Sequence, residues 1–555
     1  MVRATFSGFN TALSALQANQ KRLDITGQNL SNMNTAGYTR QQLEASSLNY
    51  TNPVSHYSNG NETAVGFGVS MDRVSQIRDP YLDIQYRSQS ADCSYTNRLQ
   101  TALNSLSKVL DETTISGIRK AFDNVQSTLT SMQDPAKVSD PIYESELRTK
   151  MQSVCNLFNQ ASRQITQAEQ NEFQRLTGEG SSEQGDVQKI NDILRQIGDL
   201  NVQIKRNQVA GHPSLELQDE RNLLLDELSG YIPVETRYYK DDAHSGNNAY
   251  DYDANGAVIG KKDWPDDLEV SMNYIDAQGK SQKLILVNGS DLGADGLTKN
   301  YGQLSVLNRD HQPAASVSDP ANISIKFEKA PSYQVNGQAA TDVYAELKGI
   351  HFEGGSLQAS LDMLQKKGTG NVINGSVDDV RGYQYYSEKL DQLASTFAKS
   401  MNASNNGNNH KDQNLLSNST DDSTNGITAG NIGISKGWTN GTIHISTDGT
   451  NRTDTILDMI AAMKDTKKLN GKTFADYMNN LSTQLASDSS SNQTALKTGT
   501  TVLNSIQDSR DSLSGVSLDE EATNMMAYVS AYNAASRLMT ALDEVLNTLI
   551  SNTGA

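Results

Sequence analysis

The residues that could do chemistry fail, one pattern at a time, to assemble a site. Histidine occurs at 56, 212, 244, 311, 351, 410 and 444, and none opens the H-E-x-x-H spacing that sets two imidazoles on one helix face around zinc. Gly279-Lys280-Ser281 and Gly471-Lys472-Thr473 end like phosphate-cradling loops, but Tyr274 and Thr466 stand where the leading glycine is needed. Gly433-Ile434-Ser435-Lys436-Gly437 fits G-x-S-x-G, the turn that exposes a hydrolase serine between a strand and a helix. A Thr/Asn/Gly loop precedes it, and a strand-like stretch, Thr442 to Ile445, follows where a helix is required. Asp251, Asp253, Asn255 and Gly256 resemble the opening of a calcium loop, yet its twelfth position is Lys262 instead of a bidentate glutamate, so the spacing predicts a polar hairpin turn. Cys93 and Cys155 are too few for a disulfide framework or a thiolate metal site, and read as small buried side chains or free thiols. The expectation is a protein with no catalytic, cofactor-binding or metal-ligating residues, hence not an enzyme and without cofactors.

Composition points the same way. The chain has 555 residues, with 47 Lys plus Arg against 65 Asp plus Glu and a formal net charge of -18. A nucleic-acid partner is disfavoured, because a phosphate-facing surface needs concentrated positive charge. Apolar residues make up 36% of the chain and mean hydropathy is -0.58, which favours elongated shapes or inserted modules over one large globule. No stretch has the apolar length to span a bilayer, so no membrane insertion is expected. Residues 1 to 20, where Phe6, Phe9, Leu13 and Leu16 alternate with Asn10, Gln17 and Asn19, do not read as a cleavable secretory signal. That pattern leaves open export by a system that reads an uncleaved N-terminus.

With no site to position, the elements themselves carry the information. All ten prolines lie between Pro53 and Pro331, leaving both ends free to be helical. Phe6, Phe9, Leu13, Leu16, Gln20, Leu23, Gly27 and Leu30 recur at alternating steps of three and four, a stripe suited to another helix. Met525, Tyr528, Tyr532, Ala535, Met539, Leu542, Leu546 and Leu549 repeat the pattern after a turn at Ser514-Gly515. The N-terminal segment carries Arg3, Lys21, Arg22 and Arg40 against Asp24. The C-terminal one carries Asp519, Glu520, Glu521, Asp543 and Glu544 against Arg537, so the charges also favour pairing the two ends.

Between the ends, the series Leu99 to Leu110, Ile118 to Met132, Leu147 to Ile165, Ile190 to Ile204 and Leu223 to Leu228 predict bundle helices, interrupted at Asp134-Pro135 and Asp140-Pro141. From about Thr236 to Tyr344 alternation replaces heptads. Leu268, Val270, Met272 and Tyr274, then Gln278-Gly279, then Leu284 to Val287, form a hairpin signature. Helical spacing returns from Val380 to Met401, Asn402 to Asn409 reads as a loop, and Thr453 to Ser514 is helical again.

Asn29-Leu30-Ser31-Asn32-Met33-Asn34-Thr35-Ala36-Gly37-Tyr38-Thr39-Arg40 resembles the N-terminal signature of flagellar rod, hook and hook-associated axial proteins. Ser514 to Ala522, with its Asp519-Glu520-Glu521 run, and Ala531 to Arg537 resemble the end of the first hook-associated (FlgK) family, and Leu217 to Leu228 is similar to that family's helical core. Departures are Met525-Met526 and Val529, where Leu, Ile and Gln are common. The resemblance implies a subunit exported through the flagellar type III channel that assembles at the distal end of the hook, at the junction with the filament. The partners it implies are further copies of itself in a helical layer, the hook protein, the second junction protein (hook-associated protein 3), and an export chaperone on the C-terminal helix.

The fold expected is mainly α with a β-rich insertion, discontinuous and elongated. Residues 1-45 and 515-555 would form a terminal coiled-coil inner-tube domain, 46-235 and 346-514 a helical core, and 236-345 a surface-exposed β-rich insertion. The assembly interface is expected at Phe6, Phe9, Leu13, Leu16, Leu23 and Leu30 against Met525, Tyr532, Met539 and Leu546. Asn32, Gly37 and Tyr38 would belong to a helix-terminating elbow in which Asn side chains bond nearby backbone and Gly37 turns left-handed. Competing expectations are a hook or rod protein, opposed by the acidic run, an extracellular hydrolase carried by the insertion, and a cytoplasmic coiled-coil scaffold.

Overall fold

The computed structural model describes the chain except residues 1, 49–67, 111, 139, 179–181, 241–249, 253–257, 262–265, 276–279, 290–299, 308–322, 329–333, 336–337, 340–344, 348–350, 374–375, 408–411, 447–452 and 554–555. Helix α1 (Val2–Asn32) leads through a turn into an antiparallel strand pair, β1 (Gln41–Ser47) and β2 (Val69–Gln76). The body starts with α2 (Pro80–Val109) and continues through α3 (Glu112–Ser131), the single turn α4 (Pro135–Val138), α5 (Pro141–Thr177), α6 (Asp186–Val209) and α7 (Leu215–Tyr231). Asp140-Pro141, which interrupts the hydrophobic pattern, and Asp79-Pro80, which lies outside the interruptions expected from sequence, are both helix starts. Asp79 and Asp140 accept hydrogen bonds from the backbone N–H of Tyr81 and Ile142 while the following prolines occupy the first helical position, where no N–H is missed. Helix α5 stops at Gly178, whose φ of 77° is open to glycine at little cost.

The β-rich part comprises β3 (Glu235–Lys240), the hairpin β4 (Tyr250–Tyr252) and β5 (Val258–Lys261), β6 (Asp266–Ile275), β7 (Ser281–Asn288), β8 (Gln303–Leu307), β9 (Ser324–Glu328), the short pair β10 (Gln334–Val335) and β11 (Gln338–Ala339), β12 (Ala345–Leu347) and β13 (His351–Phe352). Strands β6 and β7 form the antiparallel hairpin that the alternation predicts; β3 and β13 pair with successive stretches of the other edge of β6, and β9 sits between β8 and β12. Asp251 lies in β4, whereas Asp253, Asn255 and Gly256 lie outside the described residues. The insertion does not stand apart. Leu268, Val270, Leu286, Val287 and Leu304 belong to one continuous apolar core with Ile190, Ile193 and Ile197 of α6. Asn191 of α6 also seals the open edge of β8, donating to Leu304 O and accepting from Leu304 N.

The chain then returns through α8 (Gly355–Gln365), the two-residue strands β14 (Val372–Ile373) and β15 (Ser376–Val377), α9 (Tyr383–Asn406), β16 (Leu416–Asn418), β17 (Ile432–Ile434), the one-turn α10 (Lys436–Thr439), α11 (Asp454–Lys464), and two long helices, α12 (Phe474–Ser514) and α13 (Leu518–Thr553). Three expectations are corrected here. Residues 402–406 continue α9 instead of looping, because the buried Asn402 and Asn405 work as backbone mimics: Asn402 accepts from Leu415 N and Leu416 N and donates to Leu416 O, and Asn405 donates to Gln413 O and accepts from Ser446 N. Thr442 to Ile445 is irregular, not a strand. A helical turn does follow Ser435, but Ser435 is its N-cap, its Oγ accepting from Trp438 N, and it is buried, so it is not presented as a nucleophile.

The centre of the body is aromatic. Phe122 of α3 lies 5.9, 5.2 and 5.6 Å, centroid to centroid, from Phe158, Phe397 and Phe474 of α5, α9 and α12. All four rings are fully buried, so Phe122→Ala leaves a cavity shared by four helices and is expected to cost about 3–5 kcal/mol, read from denaturant unfolding. A loss below ~1 kcal/mol would mean that the helices close over the gap.

Candidate functional site

The two ends of the chain form one antiparallel pair. A Cβ built on Gly8 would lie 3.4 Å from Leu542, and the Arg22 guanidinium sits over the Tyr528 ring at 5.6 Å, with equal spacing along both helices. On α13 the covered positions are Asn524, Tyr528, Ala531, Ala535, Met539, Leu542 and Leu546, a heptad seam. Met539 and Leu546 lie on it as expected, while Met525 and Tyr532 flank it at 38% and 36% exposure.

The α1 side departs further from expectation. Its buried residues are Ala12, Ala18, Asn19, Ile25, Thr26 and Asn29, about a third of a turn from the apolar stripe. Leu13 is 45% exposed, and Phe9, Leu16, Leu23 and Leu30 are only half-buried; the Phe6 side chain lies outside the described residues. The reason is that small residues let α1 approach α13 closely, while α1 also meets the β1–β2 pair, where Ser14 Oγ accepts from Val69 N and Asn29 binds Gln41. Hydrophobic period located a helix face but not which neighbour would cover it. The larger apolar side chains of α1 and the flanks of α13, including Met526 (66% exposed) and Val529, remain open.

Where α1 ends, the backbone turns through an elbow fixed by named hydrogen bonds. Asn32 closes the helix, its carbonyl accepting from Thr35 N and its side chain donating to Gln28 O. Gly37 follows at φ 77°, and Tyr38 donates from its hydroxyl to Asn29 Oδ1 at 2.9 Å. Burial, reinforced by Asp219, Glu216 and Glu521, holds the Tyr38 phenol well above its ordinary pKa, so it stays a donor. Asn29, 1% exposed, holds the first residue of β1 like a strand partner, accepting from Gln41 N and donating to Gln41 O, both at 3.0 Å. At Gly37 an added Cβ would meet Leu223 at 3.5 Å, an ordinary contact. Gly37→Ala is therefore expected to cost only the left-handed strain, about 1–2 kcal/mol, and to leave assembly intact. A loss of assembly would show a backbone demand beyond that strain.

Beyond the elbow, charges link all the elements that meet there. Thr39 donates from N to Asp219 Oδ2 at 3.0 Å and from Oγ1 to Asp219 Oδ1 at 2.6 Å, tying the chain to α7. Arg40 pairs with Glu521 and Glu520 at 2.7 Å each, in the first turn of α13, and its N–H donates to Ser514 O at the end of α12. Arg78 pairs with Asp83 of α2; Arg510 of α12 bridges Asp83 (3.0 Å) and Asp226 of α7 (2.7 Å) and lies 4.2 Å above the Tyr86 ring; Arg87 meets Asp226 from below at 2.8 Å. A cleft of about 810 Å³ opens over this network, lined among others by Gly37, Arg40, Leu223, Arg510 and Glu520. Sequence reasoning named Gly37 and Tyr38 but missed Asn29, Thr39, Arg40, Asp219 and Arg510 as a unit; the first three lie within the N-terminal signature and Asp219 within the Leu217 to Leu228 segment, which was the available signal. Among the described residues no three His, Cys, Asp or Glu side chains are placed to hold a metal ion, and no helix is long and apolar enough to cross a membrane.

Residues 9–39 match the flagella basal body rod protein model and residues 509–552 match the flagellar basal body rod FlgEFG protein C-terminal model. The two ends that pair in the fold are thus each similar to a flagellar rod-protein model. Residues 103–262 match the flagellar hook-associated protein FlgK helical domain. Flagellar hook-associated protein 1 of Bacillus subtilis is 29% identical over 574 aligned residues, covering 99% of each chain. The proteins of that name from Salmonella typhimurium and Escherichia coli are each 28% identical over 41% of this chain, covering 38% and 39% of their own lengths. The solved flagellar hook junction protein FlgK from Burkholderia pseudomallei aligns at TM-score 0.38 and 19% identity, over 60% of this chain and 44% of that one. The chain is thus similar to flagellar hook-associated protein 1 over its whole length and to the FlgK helical domain over residues 103–262.

Proposed function

We propose that this chain is a non-enzymatic structural subunit of the hook–filament junction, assembling with further copies of itself at the distal end of the hook. The observation that carries the reading is a helix pair, each helix similar to a flagellar rod-protein model, that leaves Leu13, Met525, Met526, Val529 and Tyr532 exposed although its seam is already filled. Residues 1-45 and 515-555 act as the inner-tube unit in this reading, 46-235 and 346-514 as the body, and 236-345 as the outward insertion. Residues Phe6, Phe9, Leu13, Leu16, Leu23 and Leu30 meet Met525, Tyr532 and their neighbours on adjacent copies instead of within one chain. Met539 and Leu546 hold the intrachain seam, and Asn32, Gly37 and Tyr38 set the angle at which the pair leaves the body.

Secretion through the flagellar export channel, contact with the hook protein and hook-associated protein 3, and a chaperone on the C-terminal helix belong to the same reading. Terminal helices that pack mainly on each other are marginal alone and gain order when neighbours bury them. Immunogold electron microscopy of intact flagella, with antibody against the 236-345 insertion, tests it. A narrow band between hook and filament is expected. Label along the hook or filament would move the protein to a sibling role, and label confined to the cytoplasm would replace the reading with a scaffold.

A further inference from the structure

The second half of α12 is held differently from the first. Phe474, Tyr477, Met478, Leu481 and Leu485 are buried in the body, but no residue from 486 to 514 is. Over that length the side of α12 turned to α2 shows half-buried Ser489, Asn492, Leu496, Gly499, Leu503 and Ile506 at heptad spacing. Its N-terminal contacts with α2 are polar: Gln100 donates to Ser489 Oγ, and Asn492 donates to Thr96 O and Gln100 Oε1. Gly499 presents no side chain, and a Cβ there would lie 3.1 Å from Cys93 Sγ, so α12 lies close on α2 at this point with no side chain of its own to interlock. Position is instead fixed near the far end, by Arg510 on Asp83, Asp226 and Tyr86.

We infer that residues 486–514 form a strap that lifts from α2 as a unit while the body stays folded, with Arg510 as its latch and the Arg40 clasp on Glu520 and Glu521 as a second fastening. Half-buried side chains and polar groups that water can replace hold the strap down, while its root is anchored by fully buried residues, so the root outlasts the strap in any partial opening. Lifting uncovers the α2 face around Tyr86, Cys93 and Thr96 and frees α13 to change its angle to the body. Its use during incorporation into a growing layer rests on the junction reading; the opening itself does not.

The chain carries its own reporters. Cys93 lies beneath the strap beside Gly499, and Cys155 is fully buried in the body core. Alkylation of the full-length protein with excess iodoacetamide under native conditions, read by mass spectrometry at each cysteine, is expected to modify Cys93 at least ~10-fold faster than Cys155, because sub-global opening is more populated than global unfolding. Arg510→Ala should raise the Cys93 rate by a further ~10-fold and leave Cys155 unchanged. As a second variant, Gly499→Cys should form a disulfide with Cys93 in mild oxidant, since the 3.1 Å approach matches the Cβ-to-distal-sulfur span of about 3 Å across an S–S bond. Equal rates at both cysteines, or an Arg510→Ala effect of the same size on both, would overturn the strap.

Discussion

Asp219→Ala is expected to destabilise the protein by about 2–4 kcal/mol and to disconnect the terminal helices from the body. The carboxylate is the acceptor for both the N–H and the hydroxyl of Thr39, which is 3% exposed. Removing it leaves the buried N–H without an acceptor and strips Arg78 of a carboxylate at 3.9 Å. Asp219→Asn separates packing from charge, because a carboxamide can accept from Thr39 N with its oxygen and donate to the Thr39 hydroxyl with its nitrogen.

The two variants should differ most in their response to pH. Burial raises Asp219 to about 6 against the Thr39 hydrogen bonds and Arg78, which favour its charge. A carboxyl whose folded pKa lies above its unfolded value binds its proton more tightly in the native state. Its stabilisation is therefore complete below about pH 3.8 and is lost as pH rises through about 6. The wild-type protein is expected to lose on the order of 2–3 kcal/mol from this group between pH 4 and 7, and Asp219→Asn should flatten that slope while staying within ~1 kcal/mol of wild type at pH 7. Urea titrations at several pH values, with a probe on α1, measure both. An unchanged slope in Asp219→Asn would mean that Asp219 is charged throughout and that the pH response comes from another group.

Much of the fold is legible in the sequence because its signals are local. The Asp-Pro starts of α2 and α5, the stop at Gly178, the β6–β7 hairpin and the long helices rest on neighbours within one or two turns. What escapes has partners far along the chain. Asn29, Asn191, Asn402 and Asn405 look like loop or surface residues in composition, yet each both donates to a backbone carbonyl and accepts from a backbone N–H chosen by tertiary packing. Thr39 and Asp219 meet across 180 positions, and Arg40 and Glu521 across 481, distances over which no periodicity carries information. The insertion's composition marks it as β-rich, but that Leu268 of its sheet and Ile193 of α6 belong to one core is something neither pattern states. The elbow was visible as a motif and only partly as a mechanism.

The same limit explains the terminal stripes and sets the second large effect. A period of three and four finds the apolar face of α1, but the intrachain seam takes the face with small residues, so Leu13 points outward at 45% exposure and Val529 of α13 at 43%. A residue already in water loses almost nothing when made charged in the free subunit, so Leu13→Asp and Val529→Asp should each leave monomer stability within ~0.5 kcal/mol of wild type. In a layer of copies the same carboxylate would have to be buried without a partner, a penalty of several kcal/mol repeated at every contact. Assembly onto hooks is therefore expected to fall by at least ~100-fold for either variant, scored by immunogold label at hook tips and by the fraction of cells that build filaments. Ala535→Asp is the converse case, because Ala535 is buried in the seam and a carboxylate there should unpair α1 from α13 within one chain. If Leu13→Asp and Val529→Asp subunits cap hooks normally, the open flanks are not the surfaces that join one copy to the next, and the interface must be sought on the body.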